Sequence, residues 1–307
     1  MNDTQIGQAV SQELLQLIRV PTAPPILYHY TTAAGLLGIL KKDQNEFWAS
    51  AVGFSNDSSE GRYATSVGLE VLDNHPMVKD HSCKFVTSFA RSLFSSPGCA
   101  WEDGYVVSFC QKDNVLSQWR AYGGTASFSI GFRTLPVQNL TCIAGSDIRL
   151  VKVDYDPSEQ RSRLKTGLDA IRTLIGDPGL KQRGIDMDRM ATSLLYVFVT
   201  HWACSVKHHA FHEENEWRIT VFPSYVQSSP LYGEPPRLAH HPELRGHRGR
   251  LLPYVIVKPK AQRFDLESIT VGPSTTQVSD KKAVEILKEQ LGIEGVKILL
   301  SDIPLQP

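Results

Sequence analysis

The chain is punctuated by short runs in which β-branched and aromatic residues crowd together: ILYHYTT, EFWAS, GYVVSFC, ASFSIGF, IRLVKVDY, EWRITVF, YVIVK, SITVG and VKILLS. Each has the length of a strand, and strands of this kind bury a face only by joining a sheet. Segments with helical spacing lie between and around them. Ile6, Ala9, Val10, Leu14, Leu17 and Ile18 predict a helix capped at Asp3 or Thr4 and closed by Pro21, Pro24 and Pro25. AAGLLGILKK predicts a helix capped by Thr31 or Thr32, FSNDSSE opens one running to about Leu72, and CKFVTSFARSLF reads as a third. Two longer helices are expected over about 158–175 and 188–206, the second with an apolar stripe of Met190, Leu194, Val197, Phe198 and Trp202. A last helix, SDKKAVEILKEQLG, takes Ser279 as cap and Gly292 as stop, whereas 223–250 is rich in Pro, His and Arg and reads as loop. The expected class is α+β. Residues 1–25 form a helix and Pro-rich connector, and 26–307 a single domain with a helical insertion at about 157–207.

Bulk properties exclude several classes. Lys plus Arg and Asp plus Glu balance at 32 each, so overall charge draws the chain to no nucleic acid or membrane. Five cysteines, Cys83, Cys99, Cys110, Cys142 and Cys204, are odd in number and widely spaced, which predicts a reducing, cytoplasmic setting rather than a disulfide framework. MNDTQIGQAV lacks the pattern of a signal peptide, and LLYVFV, the longest aliphatic-aromatic run, falls far short of the ~20 residues a membrane helix needs. The dinucleotide, P-loop and nucleophile-elbow fingerprints are absent.

Candidate chemistry sits in separated clusters. FHEENEWRITVF, residues 211–222, places three glutamates at the mouth of an apolar strand. On period-two spacing Glu214, Glu216 and Arg218 share a face, with Trp217 opposite. Two carboxylates held in a cleft suit acid–base or electrostatic work, and an edge-strand charge cluster is the plainer alternative. LYHYTT sets His29 and Thr31 on one face and Tyr28 and Tyr30 on the other. FWASAVGFSNDSSE carries Asn56, Asp57 and Glu60 in a turn, and SQWRAYGG puts Trp119, Arg120 and Tyr122 before paired glycines. His208 and His212 have the four-residue spacing of zinc ligands on a helix, with a third available at His240, His241 or His247. HExxH is missing, and no metal is expected.

The ordered set LYHYTT, FWASAVGFSNDSSE, SQWRAYG…SFSIGF and EENEWRI resembles a widespread bacterial group catalogued as a domain of unknown function, over about Leu27 to Val221. Its marks are a YHYT-like start, an FNDP-like turn, a WxxYG motif and an ExEWR strand. That group in turn resembles the ADP-ribosyltransferase fold, a split mixed β-sheet with flanking helices that clasps NAD⁺. The resemblance implies Glu216 as catalytic, with Glu214 orienting the acceptor. It implies His29, Tyr30, Thr31, Ser50, Asn56, Trp119, Tyr122 and Arg218 as the NAD-facing set. Tyr30 departs from the small residue common between the His and Thr of that fold.

The implied activity is an NAD-dependent ADP-ribosyltransferase, as in a bacterial toxin or defence effector. NAD glycohydrolase, another nucleoside-type hydrolase, or a non-catalytic ligand-binding module are the alternatives. The acceptor is open: protein, nucleic acid or small molecule. Arg237, Arg245, Arg248, Arg250, Lys258, Lys260 and Arg263 make the 237–263 region a candidate for nucleic-acid contact. In such a reaction a carboxylate stabilises the oxocarbenium-like ribose as the nicotinamide bond breaks. Glu216→Gln is then expected to abolish turnover with little loss of fold.

Overall fold

A computed structural model describes residues 14, 22–54, 58–95, 104–122, 127–133, 137–142, 146–222, 242–247 and 249–304. The helix expected over 6–18 lies outside them except for Leu14, which is helical and buried. The strands are β1 (Ile26–Thr32), β2 (Phe47–Ala51), β3 (Tyr105–Cys110), β4 (Ser127–Arg133), β5 (Leu140–Thr141), β6 (Asp147–Lys152), β7 (Glu216–Phe222), β8 (Glu243–His247), β9 (Arg250–Pro259), β10 (Leu266–Val271) and β11 (Lys297–Leu300). The helices are α1 (Ala33–Ile39), α2 (Ser58–Asp73), α3 (Lys84–Ser95), α4 (Leu116–Tyr122), α5 (Pro157–Gly176), α6 (Pro178–Gln182), α7 (Met187–Cys204) and α8 (Gln277–Leu291).

The expected α+β class holds, built on one large mixed sheet. Every strand pair is antiparallel except β10 with β11 among the described residues. The sheet forks at β3. One edge of β3 pairs with β7 from Tyr105↔Val221 to Cys110↔Glu216. The other edge is shared: β2 takes its start, through Ser50↔Val106 and Ala51↔Tyr105, and β1 takes its end, through Tyr28↔Cys110. β1 then continues into β4, β10 and β11, and β2 into β9 with β5 and β8. Val107, Ser108 and Phe109 therefore face the gap where the two arms part.

Alternation explains the two cores. Val107 and Phe109 of β3, with Trp217, Ile219 and Val221 of β7, point to one side and join Phe47, Phe132 and Phe264. Phe47 is the hub, with ring centroids 5.3 Å from Phe109, 5.0 Å from Phe132 and 4.4 Å from Phe264. On the other side α2, α3, α5 and α7 pack into a helical layer. Leu194, Phe198 and Trp202 of the predicted stripe are buried there, and Met190 packs against the same cluster. Close approach within this layer depends on Gly167, where an added Cβ would meet the ring of Phe198 at 2.1 Å. No helix among the described residues is long and apolar enough to cross a membrane.

Three local expectations change. The stretch read as loop contains β8, a strand held by its hairpin with β9; tertiary pairing outweighs its polar composition. SQWRAYGG includes a helix, α4, rather than a plain connector. Helix α8 starts behind Thr276 instead of Ser279, whose hydroxyl donates to the Thr276 carbonyl at 2.8 Å, while Gly292 stops it at φ +60° as expected.

Candidate functional site

At the far end of β3, the row Tyr28–Cys110–Glu216 crosses three strands, followed on β3 and β7 by Ser108↔Arg218. Directly opposed residues share a face, so Tyr28, Cys110, Ser108, Glu216 and Arg218 all look the same way. A cavity of about 40 Å³ opens there. Its walls come from Tyr28, His29 and Tyr30 on β1, Ser108, Phe109 and Cys110 on β3, Gln118 on α4, Glu214 and, on β7, Glu216.

Glu216 is 6% exposed and Arg218 3%. Arg218 grips the carboxylate with Nε on Oε1 at 2.8 Å and Nη2 on Oε2 at 2.8 Å, and its Nη1 donates to the Cys204 carbonyl at 3.1 Å. Lys207 Nζ reaches Glu214 Oε2 at 2.6 Å and Glu216 Oε2 at 3.4 Å. Burial alone would push Glu216 up; Arg218, Lys207 and a hydrogen bond from Ser108 outweigh it and bring the group down to about 2. Arg218 and Lys207 thus hold Glu216 in its ionised form at neutral pH. Its backbone N–H donates to the Tyr155 hydroxyl at 3.1 Å, and burial followed by the charge of Glu216 pushes that phenol up.

Glu214 is not on the strand. It ends a 3₁₀ turn, His209–Glu214, and Asn215 then takes a left-handed conformation at φ 43° before β7 begins. Period-two spacing is therefore not what joins the two glutamates; Lys207 joins them. A short parallel bridge places this lysine: Lys207 N donates to the Asp154 carbonyl at 3.0 Å and Asp154 N to the Ser205 carbonyl at 2.7 Å. Cys110 fixes the turn from below, its thiol donating to the Glu214 carbonyl at 3.1 Å. Burial pushes that thiol up to about 11, so it stays protonated.

The NAD-facing set expected from sequence is only partly gathered. Tyr30, buried, lines the cavity while its hydroxyl donates to the Lys112 carbonyl at 3.1 Å and accepts from Val115 N at 3.0 Å. Trp119 supports Tyr30 edge-on at 4.8 Å and donates to Asn114 Oδ1 at 2.9 Å. His29 sits in the fork, its ring 5.8 Å from Phe47 and 5.6 Å from Phe109. Its Nδ1 lies 2.8 Å from the Ser108 carbonyl. A carbonyl only accepts, so Nδ1 carries the proton; burial pushes the group down to about 4, with Arg245 adding to the effect. His29 is neutral at pH 7.

Thr31 packs over Gly35, where an added Cβ would come within 1.9 Å of its hydroxyl. Ser50 accepts from Arg245 Nη2 at 2.7 Å on the β2–β8 side of the fork. Asn56 and the side chain of Tyr122 lie outside the described residues. Lys207 and Tyr155 escape sequence reading because no local motif marks them, and Gln118, though inside SQWRAYGG, is passed over there for its aromatic and basic neighbours; each reaches the site through contacts between distant segments.

Other expected clusters disperse. His208 Nδ1 accepts from Ala210 N at 3.3 Å and His212 Nδ1 donates to the His209 carbonyl at 3.1 Å, and among the described residues no three His, Cys, Asp or Glu side chains gather as a metal site. His240, His241 and the His247 side chain lie outside those residues. In the 237–263 region, Arg245 is directed to Ser50, Lys258 lies 3.9 Å from Glu46, and Arg263 donates to the Lys42 carbonyl at 3.3 Å. Arg250 and Lys260 are exposed, and Arg237 and Arg248 lie outside the described residues.

No curated protein and no solved structure matches the chain. One protein-family model does, described as a protein of unknown function (DUF2971), over residues 118–219. That segment runs from Gln118 on α4 to Ile219 on β7 and contains Lys207, Glu214, Glu216 and Arg218. The chain is therefore similar, across the segment that builds the charged wall of the cavity, to a domain family of unknown function.

Proposed function

We propose that the protein cleaves the nicotinamide–ribose bond of NAD⁺ and transfers the ADP-ribosyl group to an acceptor. The observation that carries this reading is the buried Glu216, held ionised by Arg218 and Lys207, beside a cavity at a fork in the sheet. A fixed negative charge stabilises an oxocarbenium-like ribose more than its neutral ground state, and it needs no proton transfer to do so. Arg218 and Lys207 hold the carboxylate rigidly, which is the preorganisation such a role requires. Glu214, on its turn at the cavity wall, is placed to orient the attacking group. The aromatic faces of Tyr28 and Tyr30 supply an apolar seat for a pyridine ring. NAD⁺ is the substrate here, and the chemistry of these side chains calls for no metal.

A second reading has water as the acceptor, giving an NAD⁺ glycohydrolase. A cavity of about 40 Å³ at the wall formed by Glu214 and Glu216 has room for an ordered water, which needs only ~10–15 Å³ on that measure.

Purified protein incubated with NAD⁺ should release free nicotinamide, and Glu214→Gln should slow that release. Labelled ADP-ribose appearing on a macromolecule identifies a transferase, and free ADP-ribose a hydrolase. If neither product forms and calorimetry detects no NAD⁺ binding, the reading fails.

A further inference from the structure

Trp48 and Ser50 of β2, Tyr254 of β9 and Arg245 of β8 share one face of the sheet, set by the pairings Trp48↔Ile256, Ser50↔Tyr254 and Arg245↔Leu252. The rings of Trp48 and Tyr254 stack 4.8 Å apart, and the guanidinium carbon of Arg245 sits 5.6 Å from the first and 5.8 Å from the second. Its Nη2 donates to Ser50 Oγ at 2.7 Å. Beyond that, the cation is unanswered. Nε is buried without a hydrogen-bond partner, and the described residues place no carboxylate in ion-pair contact with Arg245. The carboxylates of this arm are engaged elsewhere, Glu46 with Lys41 and Trp48 Nε1, and Glu243 with the Tyr254 hydroxyl at 2.6 Å. Arg218, by contrast, has both oxygens of Glu216. Burial pushes Arg245 down, and Tyr254 offsets only part of that. The aromatic faces attract the charge but take no in-plane N–H, so they return only part of the hydration it loses.

We propose that Arg245 and Ser50 form the head of a carboxylate-binding site, with the partly exposed ring of Trp48 as the seat for the ligand's apolar body. A planar carboxylate matches the planar guanidinium. The Ser50 hydroxyl accepts from Nη2 and so keeps its own proton to donate to a ligand oxygen. Charge selects the class. One uncompensated cation balances one negative charge, and Glu46 and Glu243 on the same arm oppose the second charge of a phosphate. The ligand is therefore a small organic acid with a flat, apolar body. The site lies on the β2–β9–β8 arm rather than at Glu216, and it stands or falls apart from the NAD⁺ reading.

The probe is benzoate, with benzamide as its uncharged analogue and inorganic phosphate as the tetrahedral anion. Each is titrated into the full chain at constant ionic strength, with calorimetry and the Arg245 Nε–H resonance reporting binding. Benzoate should bind and shift that resonance, benzamide should do neither, and phosphate should bind more weakly than benzoate. Arg245→Gln should weaken benzoate binding about tenfold or more. Arg245→Lys keeps the charge without the planar fork and should fall between the two. Circular dichroism establishes that both variants are folded, and the Nε–H shift in the unaltered chain decides the matter if either is not. No benzoate binding at millimolar concentration would overturn the proposal. So would equal binding of benzamide, tighter binding of phosphate, or benzoate affinity unchanged in Arg245→Gln.

Discussion

Arg218 holds Glu216 from two positions along the same strand, by parallel contacts of 2.8 Å and 2.8 Å. Residues at that spacing share a face of β7, so the strand itself brings the fork of the guanidinium level with both carboxylate oxygens. The pair is almost wholly removed from water, and this changes what a substitution at Glu216 should do.

Glu216→Gln should destabilise the fold as well as the reaction. Loss of the carboxylate leaves Arg218 without its buried counter-charge and Lys207 with Glu214 alone, at a cost of about 3–5 kcal/mol. Urea denaturation should show a clearly lower midpoint with unchanged slope. Glu216→Gln with Arg218→Met should recover part of the loss, since it removes the stranded cation. A single variant as stable as the wild type would mean that the pair contributes nothing net.

Glu214→Gln separates chemistry from folding. Its side chain is 25% exposed and it ends a turn rather than lying in the sheet. Loss of its charge-assisted contact with the buried Lys207, which keeps Glu216 as a counter-charge, should cost about 1–3 kcal/mol, less than the Glu216 change. Nicotinamide release should fall by ~10²–10³ if the carboxylate aligns the attacking group. Melting temperature and initial rate, measured on one preparation, check both halves.

Acid should weaken the fold in two stages. His29 is pushed down from its ordinary 6.5 to about 4, so between those values the unfolded chain takes up a proton that the folded chain refuses, and stability falls as pH falls. Burial also lowers His75 and His201, with the same sign. Glu216 acts lower: its folded value of about 2 lies below the ordinary 4.5, so the stability it contributes is full above 4.5 and is lost as pH drops toward 2. His29→Gln keeps a donor for the Ser108 carbonyl and should shrink the first stage alone. Urea midpoints across pH 7 to 3 provide the measurement, and an undiminished first stage in that variant would count against the His29 assignment.

Gly167→Ala should destabilise the helical layer by about 1–3 kcal/mol. The methyl would fall 2.1 Å from a Phe198 ring that is fully buried and has little room to yield. Pairing it with Phe198→Leu should relieve much of the cost, which thermal melts of the single and double variants would reveal.

Local patterning is enough to place most of the individual elements. β1, β2, β3, β4, β6, β7 and the long helices α5 and α7 follow from period-two and helical patterning, because half-buried strands and amphipathic helices write their buried faces into adjacent residues. It also marked Glu216 and Arg218, whose pairing depends only on spacing within one strand. Tertiary structure decided what spacing cannot encode. Glu214 leaves the strand through the left-handed Asn215, β8 forms because β9 lies beside it, and Lys207 reaches both glutamates from the end of α7. Gln118 meets the cavity only once α4 docks against β1. The physical reason is common to all of these. Periodicity reports which way a residue faces within its own element, whereas the charged wall and the cavity beside it are made by contacts between elements, fixed only when the sheet closes around its fork.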